Sequence, residues 1–260
     1  TADLAIILVD ARKGVLTQTR RHSYLAHLVG IPHLIVAVNK MDLVGYEQDV
    51  FERIMADYLD FADKLGIEDV RFIPMSALNG DMVVERGSRL DWYTGPTLIE
   101  LLEDATPTHA DGTEAFRFPV QYVCRPQDSA NPELHDYRGF MGRVESGRIA
   151  IGDEAPEALR QVDAMLCWLS ENPLDPRRKY LVRHTTRDSK AMLAGIDFRL
   201  DVNTLERQAA ETLAMNDIAR IGLKLAQPIF PDPYSRNRST GAFIVIDEAT
   251  NDTVGAGMIL

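Results

Sequence analysis

Cysteine is nearly absent: Cys124 and Cys167 are the only two, and no CxxC pair occurs. That excludes a disulfide framework and fits buried thiols in a reducing cytosol, so a cytoplasmic protein is expected. Long hydrophobic runs are absent too. LAIILV, at residues 4–9, falls far short of the ~20 residues a membrane helix requires. No charged-then-apolar signal opens the chain, and no membrane partner is expected. Positive charge is in deficit, with 28 Lys and Arg against 39 Asp and Glu, a formal net charge of −11. This balance argues against a general phosphate-backbone binder, and a nucleic-acid partner is not expected. The six histidines lack metal-ligand spacing and read as structural or surface residues.

What is present begins with alternating strands and helices. LAIILVD (4–10) and HLIVAV (33–38) are continuous apolar runs, the signature of parallel strands covered on both faces. Between them, Thr17 is expected to cap a helix carrying Tyr24, Leu25, Leu28 and Val29, closed by Gly30. Phe51, Ile54, Met55, Tyr58, Phe61, Ala62 and Leu65 recur at helical spacing until Gly66. VRFIPMSA (70–77) reads as a third strand, and GPTLIELLE (95–103) as a helix with Pro96 near its first turn. The pattern is βαβαβα, a parallel sheet with covering helices.

TPTHADGTEA (106–115) is poor in large apolar residues and reads as a linker. Beyond it, RGFMGRVESGRIAIGDE carries Gly139, Gly142, Gly147 and Gly152 at short intervals, which suggests antiparallel hairpins. Near the C-terminus, GAFIVID and TVGAGMIL flank EATND, again an antiparallel signature. The expected plan is an α/β domain over 1–105, a partial β-barrel over 116–155 and a second β-barrel over 156–260.

The chemistry lies where the second strand ends. Asn39-Lys40-Met41-Asp42 matches the N-K-x-D pattern that reads guanine. A carboxylate offers two acceptor oxygens, which suit the N1–H and exocyclic amine of guanine. Adenine would leave that carboxylate unpaired, at a cost of about 1–3 kcal/mol or more. Asn39 can tie neighbouring loops together, and the Lys40 stem can lie along the base. Open α/β sheets bind ligands at the carboxyl ends of their strands, where this motif falls. Ser76-Ala77-Leu78 closes the next strand. A backbone N–H there, that of Ala77, can meet the guanine carbonyl, while Ser76 braces Asp42 or Asn39. A turn alone would explain either segment; together they describe a guanine pocket.

A phosphate site is missing. No GxxxxGK[ST] loop occurs, and DARKG (10–14) approaches DxxG only with its glycine one position late. The chain also opens directly on a strand approach, so a phosphate-binding part is expected upstream of Thr1. The 40 or so residues of the middle module are too few to close a barrel, and a further stretch is expected near Ala155.

These segments, with RGFMGRVESG, DVNTLE and TGAFIVID, resemble the translation-factor class of GTPases across nearly the whole chain. Within that class they are most similar to the large subunits of bacterial sulfate adenylyltransferase. The resemblance implies a P-loop-type GTPase domain followed by two antiparallel β-barrels. It assigns Asn39, Lys40 and Asp42 to the guanine motif, and Ser76, Ala77 and Leu78 to the second base-contacting loop. It implies GTP or GDP with Mg²⁺, whose ligands lie outside this chain, so no catalytic residue carries over. It also implies a small catalytic subunit as partner. That subunit joins sulfate to the α-phosphate of ATP, and GTP hydrolysis drives the step. An elongation-factor-like carrier of aminoacyl-tRNA is the alternative. Some relatives continue into an adenylylsulfate kinase.

Overall fold

The computed structural model describes residues 2–106, 115–125, 138–149 and 156–260. Two compact units divide the chain, the first Thr1–His109 with Val202–Thr204, the second Ala110–Asp201 with Leu205–Leu260.

In the first unit, β1 (Leu4–Asp10), β2 (His33–Asn39) and β3 (Val70–Pro74) form a parallel sheet in that order. Three helices accompany it: α1 (Thr17–Leu28), α2 (Gln48–Leu65) and α3 (Leu98–Asp104). Val36 and Val38 pack with Phe51, Ile54 and Tyr58 of α2, while Ile35, Ala37 and Ile73 pack with Leu101 of α3. The central strand is therefore buried on both faces, as its unbroken apolar run requires. On β1, by contrast, Ile6 and Leu8 are exposed. Gly66 ends α2 at φ 69, and Thr97 opens α3 with a reciprocal cap to Glu100.

Helix α1 departs from expectation. Thr17 is its first helical residue and Leu16 its N-cap, and the buried stripe is Thr19, Ser23 and Ala26. The Ser23 hydroxyl donates to Thr19 O at 2.8 Å and accepts from Tyr58 Oη at 2.7 Å. Small side chains that find hydrogen-bond partners let α1 sit close to α2, where the larger Leu25 and Leu28 stay half-buried.

The second unit contains β4 (Val120–Cys124) and β5 (Gly139–Gly142), paired antiparallel with Val123 opposite Phe140. Isolated bridges join Ala115 to Arg148 and Arg117 to Ser146. Of the two barrels expected, the described residues of the middle module thus show a two-stranded ladder. The expected linker (106–115), Gly152 and the break near Ala155 fall wholly or mostly outside the described residues.

The second barrel is closed. Its strands are β6 (Leu159–Trp168), β7 (Lys179–His184), β8 (Arg187–Leu200), β10 (Ile218–Ile229), β11 (Ala242–Ile246) and β12 (Thr253–Ile259). Antiparallel pairing runs β10-β6-β12-β11-β7-β8 and returns to β10. The two-residue β9 (Arg207–Gln208) adds to β8, and a short turn of helix, α4 (Arg238–Gly241), precedes β11. Val162, Ala164, Leu166 and Trp168 alternate along β6 into the barrel core, facing Ala219, Ile221 and Leu223 of β10. Alternation at period two is what a filled barrel demands. Among the described residues no helix is long and apolar enough to cross a membrane.

Candidate nucleotide site

Strands β1 and β2 are in register, Leu4 opposite His33 and Asp10 opposite Asn39, so both end at one level. Backbone bonds carry this alignment onward. Met75 N–H donates to Val38 O at 2.9 Å, and Met41 N–H to Met75 O at 3.2 Å. The turn after β2 and the loop after β3 are therefore held side by side.

Lys40 takes a left-handed conformation, φ 66, which turns the chain sharply into a short 3-10 turn at Met41–Val44. Met41 is fully buried and anchors that turn, leaving Asp42 half-buried at the rim. Asn39 Oδ1 accepts from Lys40 N–H at 2.7 Å and from Ala77 N–H at 2.9 Å. Ser76, itself buried, donates its hydroxyl to Asp42 Oδ1 at 2.7 Å and accepts from Asn79 N–H at 3.3 Å. So Asn39, Lys40, Asp42, Ser76 and Ala77 come together as one cluster. Leu78 does so only through its backbone, since its side chain is 86% exposed. The Ala77 N–H is engaged by Asn39, while the Leu78 N–H has no partner among the described residues.

Behind the cluster stands a second layer, whose Tyr46 and Asp81 belong to no motif. Tyr46 Oη donates to Asp81 Oδ2 at 2.7 Å and accepts from Asn79 Nδ2 at 2.9 Å and Arg89 Nη1 at 3.0 Å. Ser76 N–H donates to Asp81 O at 3.2 Å, so Asp81 serves both loops. Trp92 Nε1 donates to Tyr46 O and its ring packs on Phe51, while Tyr93 Oη donates to Phe72 O. These two aromatics fasten the loop to the sheet. Gly45 and Tyr46 form a left-handed pair, φ 66 and 58, and the bonds of the Tyr46 hydroxyl and carbonyl hold the bulky residue there.

The carboxylate nearest the base motif, Asp10, is taken up by basic side chains. Arg12 and Lys40 both engage it, and among the described residues no group of three His, Cys, Asp or Glu side chains gathers as a metal site.

Residues 1–108 match the model of the elongation factor Tu GTP binding domain, and residues 161–260 that of the GTP-eEF1A C-terminal domain-like family. Sulfate adenylyltransferase subunit 1 of Alteromonas mediterranea is 42% identical, and that of Cellvibrio japonicus 41%, each across 100% of this chain and 65% of the relative. Over its whole length, then, the chain is similar to translation-factor-type GTPases named as sulfate adenylyltransferase subunits. The bifunctional enzyme CysN/CysC of Mycobacterium tuberculosis is 40% identical, across 100% of this chain and 51% of its own length. The chain thus spans 51–65% of the length of these relatives. The Alteromonas alignment runs over 312 positions against 260 residues here, so that relative carries residues within the matched span which this chain lacks. Solved structures of Sup35 complexed with GDP and with GMPPNP cover 100% of this chain and 78% of their own, at 19% identity and a TM-score of 0.48.

Proposed function

We propose that this chain is the base-reading and barrel portion of the GTP-hydrolysing subunit of a sulfate adenylyltransferase. The small catalytic subunit forms adenosine 5′-phosphosulfate and pyrophosphate from ATP and sulfate, and GTP hydrolysis pulls that unfavourable step forward. The observation that carries the reading is Asp42, held at the end of a buried parallel strand with one oxygen braced by Ser76 at 2.7 Å. A carboxylate accepts about four hydrogen bonds, so bracing leaves capacity for the N1–H and amine of guanine. Asn39 fixes the turn to the Ala77 loop by taking the Ala77 N–H, and the Leu78 N–H meets the base carbonyl. Lys40 lays its stem along the ring. Mg²⁺ and the phosphates are held by parts of the protein outside these residues, and the open apolar face of β1 at Ile6 and Leu8 suits such a neighbour.

GTP hydrolysis by the intact protein with its small subunit tests the reading, measured with and without ATP plus sulfate. Hydrolysis that rises only with both substrates, alongside adenosine 5′-phosphosulfate, is the expected result. Hydrolysis indifferent to sulfate would overturn the coupling and favour the aminoacyl-tRNA carrier. That carrier's affinity would fall steeply with salt.

A further inference from the structure

DARKG, which failed as a γ-phosphate sensor, forms a tight turn against the base motif. Gly14 takes φ 69, and the N–H groups of Lys13 and Gly14 both donate to Asp10 O, at 2.9 and 3.0 Å. The turn brings Arg12 back over Asp10. Arg12 Nε reaches Oδ1 at 2.9 Å and Nη2 reaches Oδ2 at 2.6 Å, a two-pronged grip. Arg12 N–H adds a third bond to Oδ1 at 3.1 Å. Asp10 Oδ2 then accepts from Lys40 Nζ at 2.9 Å. The Asp10 side chain is only 17% exposed, while Lys40 and Arg12 are about half-open to solvent.

We propose that Asp10 is a positioning residue for guanine-nucleotide binding, which acts by fixing the Lys40 side chain across the mouth of the base pocket. This rests on the guanine reading given above. The left-handed backbone at Lys40 aims its stem toward the end of β1, and the register of β1 with β2 sets Asp10 beside it. A lysine stem loses much rotamer freedom when it packs on a ligand, and one already tethered has surrendered that freedom beforehand. Tethering does not consume the ammonium. It has three donors, and Asp10 takes one. Arg12 keeps the carboxylate oriented and charged, and its grip, with Lys40 adding to it, holds the Asp10 carboxyl well below the usual carboxylate range.

The opposite role is also open to such a contact: a carboxylate that holds Lys40 away from the nucleotide. The two differ in sign. Binding of a fluorescent GDP analogue to the intact protein separates them, across Asp10→Ala, Asp10→Asn, Lys40→Ala and the Asp10→Ala/Lys40→Ala pair. Asp10→Ala is expected to weaken GDP about tenfold, the order of one charge-assisted hydrogen bond. Asp10→Asn, which keeps an acceptor without the charge, is expected to fall between, and it serves in place of Asp10→Ala should that variant fail to fold. In the Lys40→Ala background, loss of Asp10 is expected to change affinity less than twofold, because its effect runs through Lys40. An equal loss in both backgrounds would reduce Asp10 to a scaffold role. Tighter GDP binding on removing Asp10 would make it a competitor. Asp42→Asn is the control for the pocket itself. If it exchanges guanine for xanthine preference while Asp10→Ala has no effect, only the positioning role fails. If it makes no exchange, the pocket reading fails and the proposal with it.

Discussion

The Ser76 hydroxyl donates to Asp42 Oδ1 at 2.7 Å across 34 residues of sequence, from the end of β3 to the turn after β2. The same oxygen accepts from Asn79 N–H at 3.3 Å, so one buried atom orders both the carboxylate and the loop that faces it. Ser76→Ala removes both bonds with no change in backbone. Stability is expected to fall by about 1 kcal/mol and GDP affinity about fivefold. Calorimetric titration of GDP, paired with urea unfolding, measures the two losses separately. Unaltered affinity would mean that Asp42 is held by its turn alone.

Asp42 itself decides which base is accepted. Asp42→Asn replaces an acceptor oxygen with an amine that can donate to the C2 carbonyl of xanthine. GDP binding is expected to weaken on the order of 100-fold, with xanthosine diphosphate gaining in proportion. Competition between the two nucleotides for the intact variant reads the exchange directly. A variant that still prefers GDP would remove Asp42 from the base contact.

Tyr46 is the hub of the layer behind the base cluster. Its hydroxyl bonds Asp81, Asn79 and Arg89 within 3.0 Å, and Asp81 is otherwise left with Arg89 at 3.9 Å. The fit around Asp81 is close: a Cβ added at Gly87, which has φ +69, would lie 2.4 Å from Asp81 Oδ1. Tyr46→Phe leaves a buried carboxylate short of a donor, which costs about 1–3 kcal/mol. The midpoint of urea unfolding is expected to drop accordingly, and GDP affinity with it. A shift under ~0.5 kcal/mol would show that water replaces the hydroxyl.

Legibility in the sequence followed the range of the forces involved. β1, β2 and α2 were readable almost to the residue, because continuous apolar runs and a 3.6-residue stripe are local patterns. The buried side of α1 was not. Thr19 and Ser23 are interior only because Tyr58, on another helix, supplies a partner. At the site, Asn39, Lys40, Asp42 and Ser76 stood out as spaced residue types at strand ends. Asp10 did not, since its contact depends on strand register and on a left-handed residue 30 positions away. Tyr46 and Asp81 were hidden for the same reason. Neither sits in a motif, and each matters through loops joined only in the fold.

His184 makes the closed barrel sensitive to acid. The ring is buried at the end of β7, with Nε2 2.6 Å from Thr240 O, next to the pair formed by Arg117 and Asp232. Burial pushes its pKa below the ordinary histidine value, against smaller raising effects from Thr240 and Asp232. The unfolded chain therefore takes up this proton at a higher pH than the native barrel. Stability is full above about pH 6.5, the unfolded value, and falls as the pH drops below it, by at most ~1.4 kcal/mol per pH unit until the native ring also protonates. His184→Gln keeps a donor toward Thr240 O and removes the titration. Urea unfolding between pH 8 and 5 is best followed through the buried Trp168, in a Trp92→Phe background so that the barrel alone reports. The wild-type barrel is expected to lose stability faster than His184→Gln below pH 6.5, and parallel curves would place the acid sensitivity elsewhere.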